Sequence, residues 1–117
     1  MRSVAIHNVT TGEIVAQRAL VAETMLTRFA GLMLRKTIPG ADALVLLPTN
    51  SIHMFFMRFR IDAIFAAEDG TVVRIGRNLR PWSVGPIAPR ALYCVELPAG
   101  ASDSTEVGHR LQLCTAT

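Results

Sequence analysis

The side chains best suited to chemistry lie close together in one short stretch, Ser51–Asp62. This stretch contains three of the five phenylalanines, two methionines, a histidine and an aspartate. A polar group held among aromatic and thioether side chains is a common design for a small-ligand site, which makes His53, Met57 and Asp62 candidate binding residues. The alternative for His53 is an ordinary position in the core or at its rim, bonded to a backbone carbonyl.

Glu96 is a further candidate because it lies on the apolar segment Ala91–Leu97, on the same strand face as Leu92 and Cys94. Burying a carboxylate costs on the order of several kcal/mol unless it is paired or protonated. We therefore expect Glu96 to be buried and bound to a cation. It would then form a structural ion pair, or else act as an acid that binds a ligand or takes part in catalysis. The arginines available for the pair are Arg28, Arg35, Arg58 and Arg60.

Trp82 is the only tryptophan, and its segment, 80–90, also contains three prolines and a glycine. Such a composition predicts a stiff, irregular loop without strand hydrogen bonds, and a stiff loop loses little entropy on binding. We expect Trp82 to lie beside His53 as one wall of a cleft, with Met57 or Asp62 opposite. The alternative is a packing role as a plug at the end of a barrel. The candidate ligand-binding residues are therefore His53, Met57, Asp62, Trp82 and Glu96.

Two functions of different class fit these residues. The first, which we favour, is a non-catalytic module that binds a small molecule or a protein partner in a pocket around residues 51–62. The second is a hydrolase-like enzyme in which His53 works with Asp62 or Glu96 as general acid and base. The enzyme needs these side chains within hydrogen-bond reach of one another, whereas the binding module needs only the pocket.

A group of arginines around Trp82 permits a third interpretation, weak nucleic-acid binding. Arginines would contact phosphates and Trp82 would stack on a base. The net charge of +3 and the pI near 9.5 permit attraction to polyanions. Because one aromatic residue alone lies among the arginines, we favour a solvated hairpin edge and do not expect nucleic acid as a partner. The arginines are Arg74, Arg77, Arg80 and Arg90.

Motifs for well-known reactions are missing from the sequence. It contains no Gly-x-Ser-x-Gly elbow, phosphate-binding loop, dinucleotide-binding glycine pattern or His-Glu-x-x-His helix. His7, His53, His109 and Asp62 lack the spacing of a known metal-ligand set, so we expect no metal and no cofactor. Cys94 and Cys114 lie outside any Cys-x-x-Cys motif, and we expect buried, reduced thiols rather than a disulfide.

Length and composition point to one folded domain, 1–117, acting as a monomer or homodimer. Half of the 117 residues are apolar, 18% are charged and the mean hydropathy is +0.35, which excludes intrinsic disorder. No run approaches the ~18 consecutive apolar residues of a membrane span. The first nine residues lack the apolar core of a secretory signal, so we expect a cytoplasmic protein without a membrane partner.

The order of elements predicts an α+β fold dominated by antiparallel strands, built as a small barrel or as two packed sheets. Turn residues at 10–13 and 68–70 predict two hairpins, Val4–Val9 with Ile14–Val21 and Ile61–Ala67 with Thr71–Leu79. Apolar residues on both faces of 91–97 predict a central strand. A helical period predicts one short helix near residues 22–31, capped by Gly31. The other strand segments are 43–47, 51–56 and 109–114.

Four segments of the chain match segments of a known family's sequence pattern, in the same order and at similar spacing. They are Arg28–Arg35, Ser51–Phe65, Leu79–Trp82, and Glu96–Gly100 followed by Val107–Gly108. Together they resemble the prokaryotic family catalogued as domain of unknown function 192. That family has no established activity, so the resemblance implies a fold and the position of a site rather than a reaction.

The sequence departs from this family's pattern at two positions. Arg60 stands where the family usually has proline, which implies a less rigid turn before Asp62. His109 stands where the family usually has aspartate, so a role for an acid at that point is in doubt.

Overall fold

The computed structural model describes residues 2–30, 32, 38 and 41–115, and the regular secondary structure within them is almost entirely β-strand. The elements in chain order are β1 (Ser3–Asn8), β2 (Glu13–Ala22), α1 (Met25–Ala30), β3 (Ala43–Leu46), β4 (Ser51–His53), β5 (Ile61–Ala66), β6 (Val72–Leu79), β7 (Val84–Ile87), β8 (Tyr93–Pro98) and β9 (Leu111–Thr115).

Seven strands form one curled sheet, in the order β6-β5-β8-β3-β2-β1-β9. All neighbours are antiparallel except β2 and β3, whose parallel pairing follows a long connection. Both predicted hairpins, β1–β2 and β5–β6, are confirmed. The prediction that the segment 91–97 forms a central strand is also confirmed, because β8 pairs with β3 on one side and β5 on the other.

The two edges of this sheet meet at one end, which gives it the form of a half-barrel. A single antiparallel bridge joins Thr71, just before β6, to Arg110, just before β9. Gly70 lies where the two edges come closest, and the Leu111 N–H donates to the Gly70 carbonyl at 2.8 Å. A Cβ on Gly70 would lie 2.0 Å from the Leu111 carbonyl oxygen, so no other residue fits there without a shift of the backbone.

Apolar side chains fill both faces of the central strands. The inner face encloses a core drawn from seven strands, with Ile6, Val45, Ile64 and Val95 among its fully buried members. On the outer face of β3, β5 and β8, a second layer is formed by the segments around β4 and β7. This double coverage explains why β5 is buried at every residue.

The second layer contains a two-stranded antiparallel sheet, β4–β7. The prediction of an irregular loop over 80–90 is therefore wrong for Val84–Ile87, and the strand expected over 51–56 ends at His53. The pairing depends on Gly85, where a Cβ would lie 2.2 Å from the Ile52 carbonyl oxygen. Pro86 is tolerated because it lies in a two-stranded sheet whose strands are both edges.

Among the described residues, helical backbone is limited to the six residues Met25–Ala30, so the short helix expected over 22–31 is not borne out as a layer of the fold. Thr24 and Thr27 close its first turn, because each hydroxyl accepts the other residue's backbone N–H, at 3.0 and 3.1 Å. The expected cap, Gly31, lies outside the described residues. Because α1 has fewer than two turns, the fold is β-dominated rather than a mixture of helix and sheet.

Candidate functional site

The second layer carries aromatic side chains at the end of the small sheet. His53 ends β4, and its ring stacks on Phe55 with centroids 5.4 Å apart and planes 27° apart. The backbone N–H of Phe55 donates to His53 Nδ1 at 3.2 Å. This local bond turns the chain directly after β4 and places the two rings side by side.

Phe56 and Trp82 form a second aromatic pair, with ring centroids 4.8 Å apart and an angle of 56° between the planes. Both residues adopt left-handed backbone, with φ of 64° and 65°. Side chains other than glycine rarely hold this conformation, and backbone strain of this kind concentrates at functional positions. Two residues whose rings contact each other therefore both have a strained backbone conformation.

Backbone hydrogen bonds hold this pair in place. The N–H of Trp82 donates to the Met54 carbonyl at 2.7 Å, and the N–H of Met54 donates to the Ser83 carbonyl at 3.0 Å. Trp82 therefore lies beside the His53 segment. Its side chain is 62% exposed, which is incompatible with the alternative role of a plug.

We define the aromatic surface as the exposed or partly exposed residues His53, Phe55, Phe56, Trp82, Val84 and Ile87. Val84 is 79% exposed and pairs with His53 across the β4–β7 sheet. Sequence reasoning missed Phe55, Phe56, Val84 and Ile87 as surface residues. The one available signal was the density of aromatic residues in 51–62, which is equally typical of core.

Met57 supports this surface from below rather than lining it. Met54 and Met57 are both buried and pack with Leu44, Leu46 and Ile61 on the outer face of the large sheet. The expectation of a cleft with Met57 or Asp62 opposite Trp82 stays a prediction. Flexible thioethers fill irregular gaps, and here they anchor the turn that carries Phe55 and Phe56.

Glu96 is buried, as predicted, but it is not paired with an arginine in the described residues. It lies on the outer face of β8 between Leu44 and Ala63, and its Oε1 atom has no hydrogen-bond partner there. Desolvation raises the pKa of its carboxyl to about 7. The expected ion pair is wrong for Arg28, which donates instead to the Glu23 carbonyl at 2.7 Å.

The other arginines considered as partners for Glu96 do not pair with it in the described part of the chain. Arg58 and Arg60 are exposed and form no ion pair within the described part of the chain, and Arg35 lies outside it. Two residues before Glu96, the fully buried Cys94 has its thiol pKa raised by burial and by the Glu96 charge. Cys94 and Cys114 are both free thiols in the structure.

Asp62 lies on the opposite face of the sheet from Glu96, since its neighbours Ala63 and Phe65 face outward while Ile64 faces the enclosed core. Burial opposes ionisation of Asp62, but hydrogen bonds outweigh it and hold the pKa of its carboxyl below the usual value. The donors are the Ser102 hydroxyl at 2.6 Å and the backbone N–H groups of Asn78, Gly100 and Ser102 at 2.8, 3.0 and 3.1 Å.

Asp62 therefore anchors the turn after β8 through these hydrogen bonds. The hydrogen bonds described at the Asp62 carboxylate and at His53 Nδ1 do not join the two residues. Glu96 lies on the other face of the sheet. A general acid–base arrangement of His53 with Asp62 or Glu96 stays a prediction.

The arginines near Trp82 divide into two kinds. Arg74 donates to the Ile87 carbonyl at 2.7 Å, and Arg77 donates to the carbonyls of Ser102 and Thr105. These two arginines connect β6 to β7 and to the segment that follows β8. Arg80 and Arg90 are exposed and make no side-chain hydrogen bond or ion pair to other described residues.

A separate cavity lies along the open seam of the half-barrel. It has a volume of about 500 Å³, and Leu47, Asp69, Tyr93, Arg110 and Leu113 are among its lining residues. None of the five candidate ligand-binding residues lines it. In the part of the chain that the structure describes, no three acidic, histidine or cysteine side chains are grouped to hold a metal ion. Nor does that part contain a helix long and apolar enough to cross a membrane.

Fold and site together define a small β-dominated half-barrel protein that presents strained aromatic residues on its outer layer. The chain belongs to the family of domain of unknown function 192, described as an uncharacterized ACR, whose model matches residues 6–113. The family resemblance is therefore confirmed.

Curated relatives carry the name UPF0127 protein. The one from Pyrococcus furiosus is 37% identical over 112 residues, which cover 90% of this chain and 94% of the relative. The one from Thermococcus sibiricus is 36% identical over 111 residues, covering 89% of this chain and 71% of the relative.

Two solved structures share the fold. A protein of unknown function from Novosphingobium aromaticivorans has a TM-score of 0.78 and 22% identity, covering 94% of this chain and 83% of its own. A putative transcription regulator from Sinorhizobium meliloti has a TM-score of 0.78 and 24% identity, with 96% and 92% covered. At these identities the likeness concerns the fold alone.

Proposed function

We propose that this protein is a non-catalytic binding module that recognises its ligand or partner through the aromatic surface. The observation that carries the proposal is the contact between Phe56 and Trp82, both exposed and both in left-handed backbone. A chain gains nothing in its own stability by holding two large apolar side chains in solvent on strained backbone. Exposed apolar side chains grouped in this way mark an interaction site.

The surface is also rigidly supported, which favours binding. Trp82 is held by a backbone hydrogen bond to Met54, and Met54 is fully buried in the second layer. An aromatic side chain presented in a fixed position loses little entropy on association, and tryptophan is among the residues that dominate binding energies.

The positions of the carboxylates Asp62 and Glu96 favour a binding role over a catalytic one. Asp62 is committed to four hydrogen bonds on the inner face, and Glu96 is covered by the second layer. Neither carboxylate is positioned to exchange a proton with a ligand on the aromatic surface.

The proposal is tested by mapping amide chemical shifts of the labelled protein against indole, mononucleotides, acidic peptides and short oligonucleotides. We expect at least one class to shift residues 53–56 and 82–87 and to lose this effect in Trp82→Ala. Val107→Ala is the matched control, since Val107 is also an exposed apolar residue, at 60%, but lies outside the aromatic surface. Shifts confined to the seam around Tyr93, or no shifts with any class, would contradict the proposal.

A further inference from the structure

The charged side chains in the two segments that carry the aromatic surface all have one sign. Residues 51–60 and 79–91 contain no aspartate or glutamate, while four of their residues are arginines. The carboxylates nearest to these segments in the sequence, Asp62 and Glu96, are buried. The segments that carry the aromatic surface therefore offer a ligand arginines and aromatic rings without an exposed carboxylate of their own.

These four arginines are also available for contacts. Arg58, Arg60, Arg80 and Arg90 are exposed and make no side-chain hydrogen bond or ion pair to other described residues. Arg58 is two residues beyond Phe56, and Arg80 is two residues before Trp82. Unpaired guanidinium groups beside aromatic rings suit a ligand that offers phosphates and flat apolar faces together.

The surface is elongated rather than compact. The β4–β7 sheet sets His53 opposite Val84 at one end and Ser51 opposite Ile87 at the other. At the Ile87 end a shallow groove of about 240 Å³ is lined by Arg74 and Arg90. Aromatic rings at one end and cations at both ends form a track, which fits a chain of repeating units better than a single small molecule.

The aromatic residues supply stacking faces of the kind used by single strands. The structure gathers the His53–Phe55 and Phe56–Trp82 pairs at one end of the track, whereas the sequence places Trp82 alone among its neighbouring arginines. Unpaired bases stack on such rings regardless of their identity. A duplex keeps the faces of its bases stacked inside, so it offers phosphates and base edges but no free stacking faces.

Resting on the proposed function, we propose that the aromatic surface binds single-stranded nucleic acid, with phosphates on Arg58, Arg60, Arg80 and Arg90 and bases on the exposed aromatic rings. Stacking on rings and contacts to phosphates do not select a base, so the binding is independent of sequence. An acidic peptide is the competing occupant, because it satisfies the arginines as well.

The experiment measures fluorescence anisotropy of labelled dT12 and U12 between 50 and 200 mM salt, with a duplex and an acidic, phenylalanine-containing peptide as further arms. We expect saturable binding of the single strands, weaker binding of the duplex, and quenching of Trp82 fluorescence. The logarithm of the binding constant should fall with that of the salt concentration with a slope of roughly −3, because each phosphate contact on a single strand contributes about −0.7.

Variants separate contacts at this surface from general attraction. Trp82→Ala should weaken dT12 binding about tenfold or more. Arg58→Gln and Arg80→Gln should each reduce the slope by about 0.7. Arg2→Gln removes the same charge at a residue paired with Glu23, away from the surface in sequence, and should leave the slope unchanged.

Three outcomes overturn the inference: no saturable binding of either strand at 50 mM salt, equal loss of binding in Arg2→Gln and Arg80→Gln, or unchanged Trp82 fluorescence at saturation. The last measurement uses the native chain and does not depend on whether a variant folds. Binding of the acidic peptide without binding of the strands overturns the inference on nucleic acid but supports the proposed function. If neither binds and the shift mapping also fails, both are wrong.

Discussion

Phe56 and Trp82 lie 26 positions apart in the chain, yet their rings meet at 4.8 Å and both hold a φ near +65°. The strain is stored in the outer layer, while the double-faced core of β3, β5 and β8 supplies the stability. This division between a well-packed scaffold and a strained, exposed pair makes the role of each residue testable by its effect on stability.

Replacing Trp82 by alanine should change stability little, by less than about 1 kcal/mol, because its side chain is 62% exposed. Thermal or urea unfolding measures this. Phe65→Ala is the control, since Phe65 is fully buried and its loss should cost about 3–5 kcal/mol. A large loss of stability in Trp82→Ala would show that Trp82 has a packing role.

At Phe56, glycine should be tolerated better than alanine, by about 1 kcal/mol, because glycine adopts positive φ without a steric cost. Urea unfolding of Phe56→Gly and Phe56→Ala tests the difference. Phe55 is the matched control, because it is exposed and aromatic but does not hold positive φ. There the order should reverse, with alanine the more stable. The same order at both positions would show that Phe56 is not strained.

The stability of the protein should depend on pH through Glu96. Its pKa is raised to about 7 in the folded state from an ordinary value of 4.5, so the favourable contribution is complete below about pH 4.5 and is lost as the pH rises through 7. Relative to Glu96→Gln, the native protein should lose roughly 3 kcal/mol between pH 4.5 and 8. Urea unfolding across this range measures the difference. Parallel pH profiles for the two proteins would show that Glu96 is paired when charged.

Asp62 should have the opposite pH dependence. Its folded-state pKa is lowered, so its contribution is present above its ordinary pKa of 3.8 and is lost as the pH falls through the lower, folded value. Asp62→Asn should destabilise the protein at neutral pH by about 2–4 kcal/mol, since the new amide cannot accept all four hydrogen bonds. Amide exchange at Gly100 and Ser102 should accelerate. Unchanged exchange there would contradict the anchoring role.

Closure of the half-barrel should depend on Gly70. Gly70→Ala places a Cβ against the Leu111 carbonyl oxygen and should cost about 3 kcal/mol or more, because backbone must move on both strands. Gly12→Ala is the matched control, since Gly12 also has positive φ but has nothing within 4 Å of the added Cβ. Gly12→Ala should cost about 1 kcal/mol. Equal losses in the two variants would show that Gly70 is needed only for its backbone conformation.

Local signals in the sequence were sufficient to predict the hairpins and the central strand. The turn Glu68-Asp69-Gly70 joins two β-rich runs, and the pairing of β5 with β6 follows from contacts between residues close in the chain. The burial of Glu96 followed from its apolar strand companions, because alternation along a strand assigns each residue to a face.

Tertiary structure alone decided which groups meet. The Asp62 carboxylate accepts hydrogen bonds from a residue 40 positions away. Among the described candidate cations for Glu96, Arg58 and Arg60 are exposed and Arg28 donates to the Glu23 carbonyl. The prolines and glycine of 80–90 predict irregular backbone, yet Gly85 lets β7 approach β4 closely enough to pair. The left-handed conformations of Phe56 and Trp82 have no sequence signal, since neither residue type favours them. Such a conformation is imposed by the packing and hydrogen bonds around it, which exist only once the sheets have assembled.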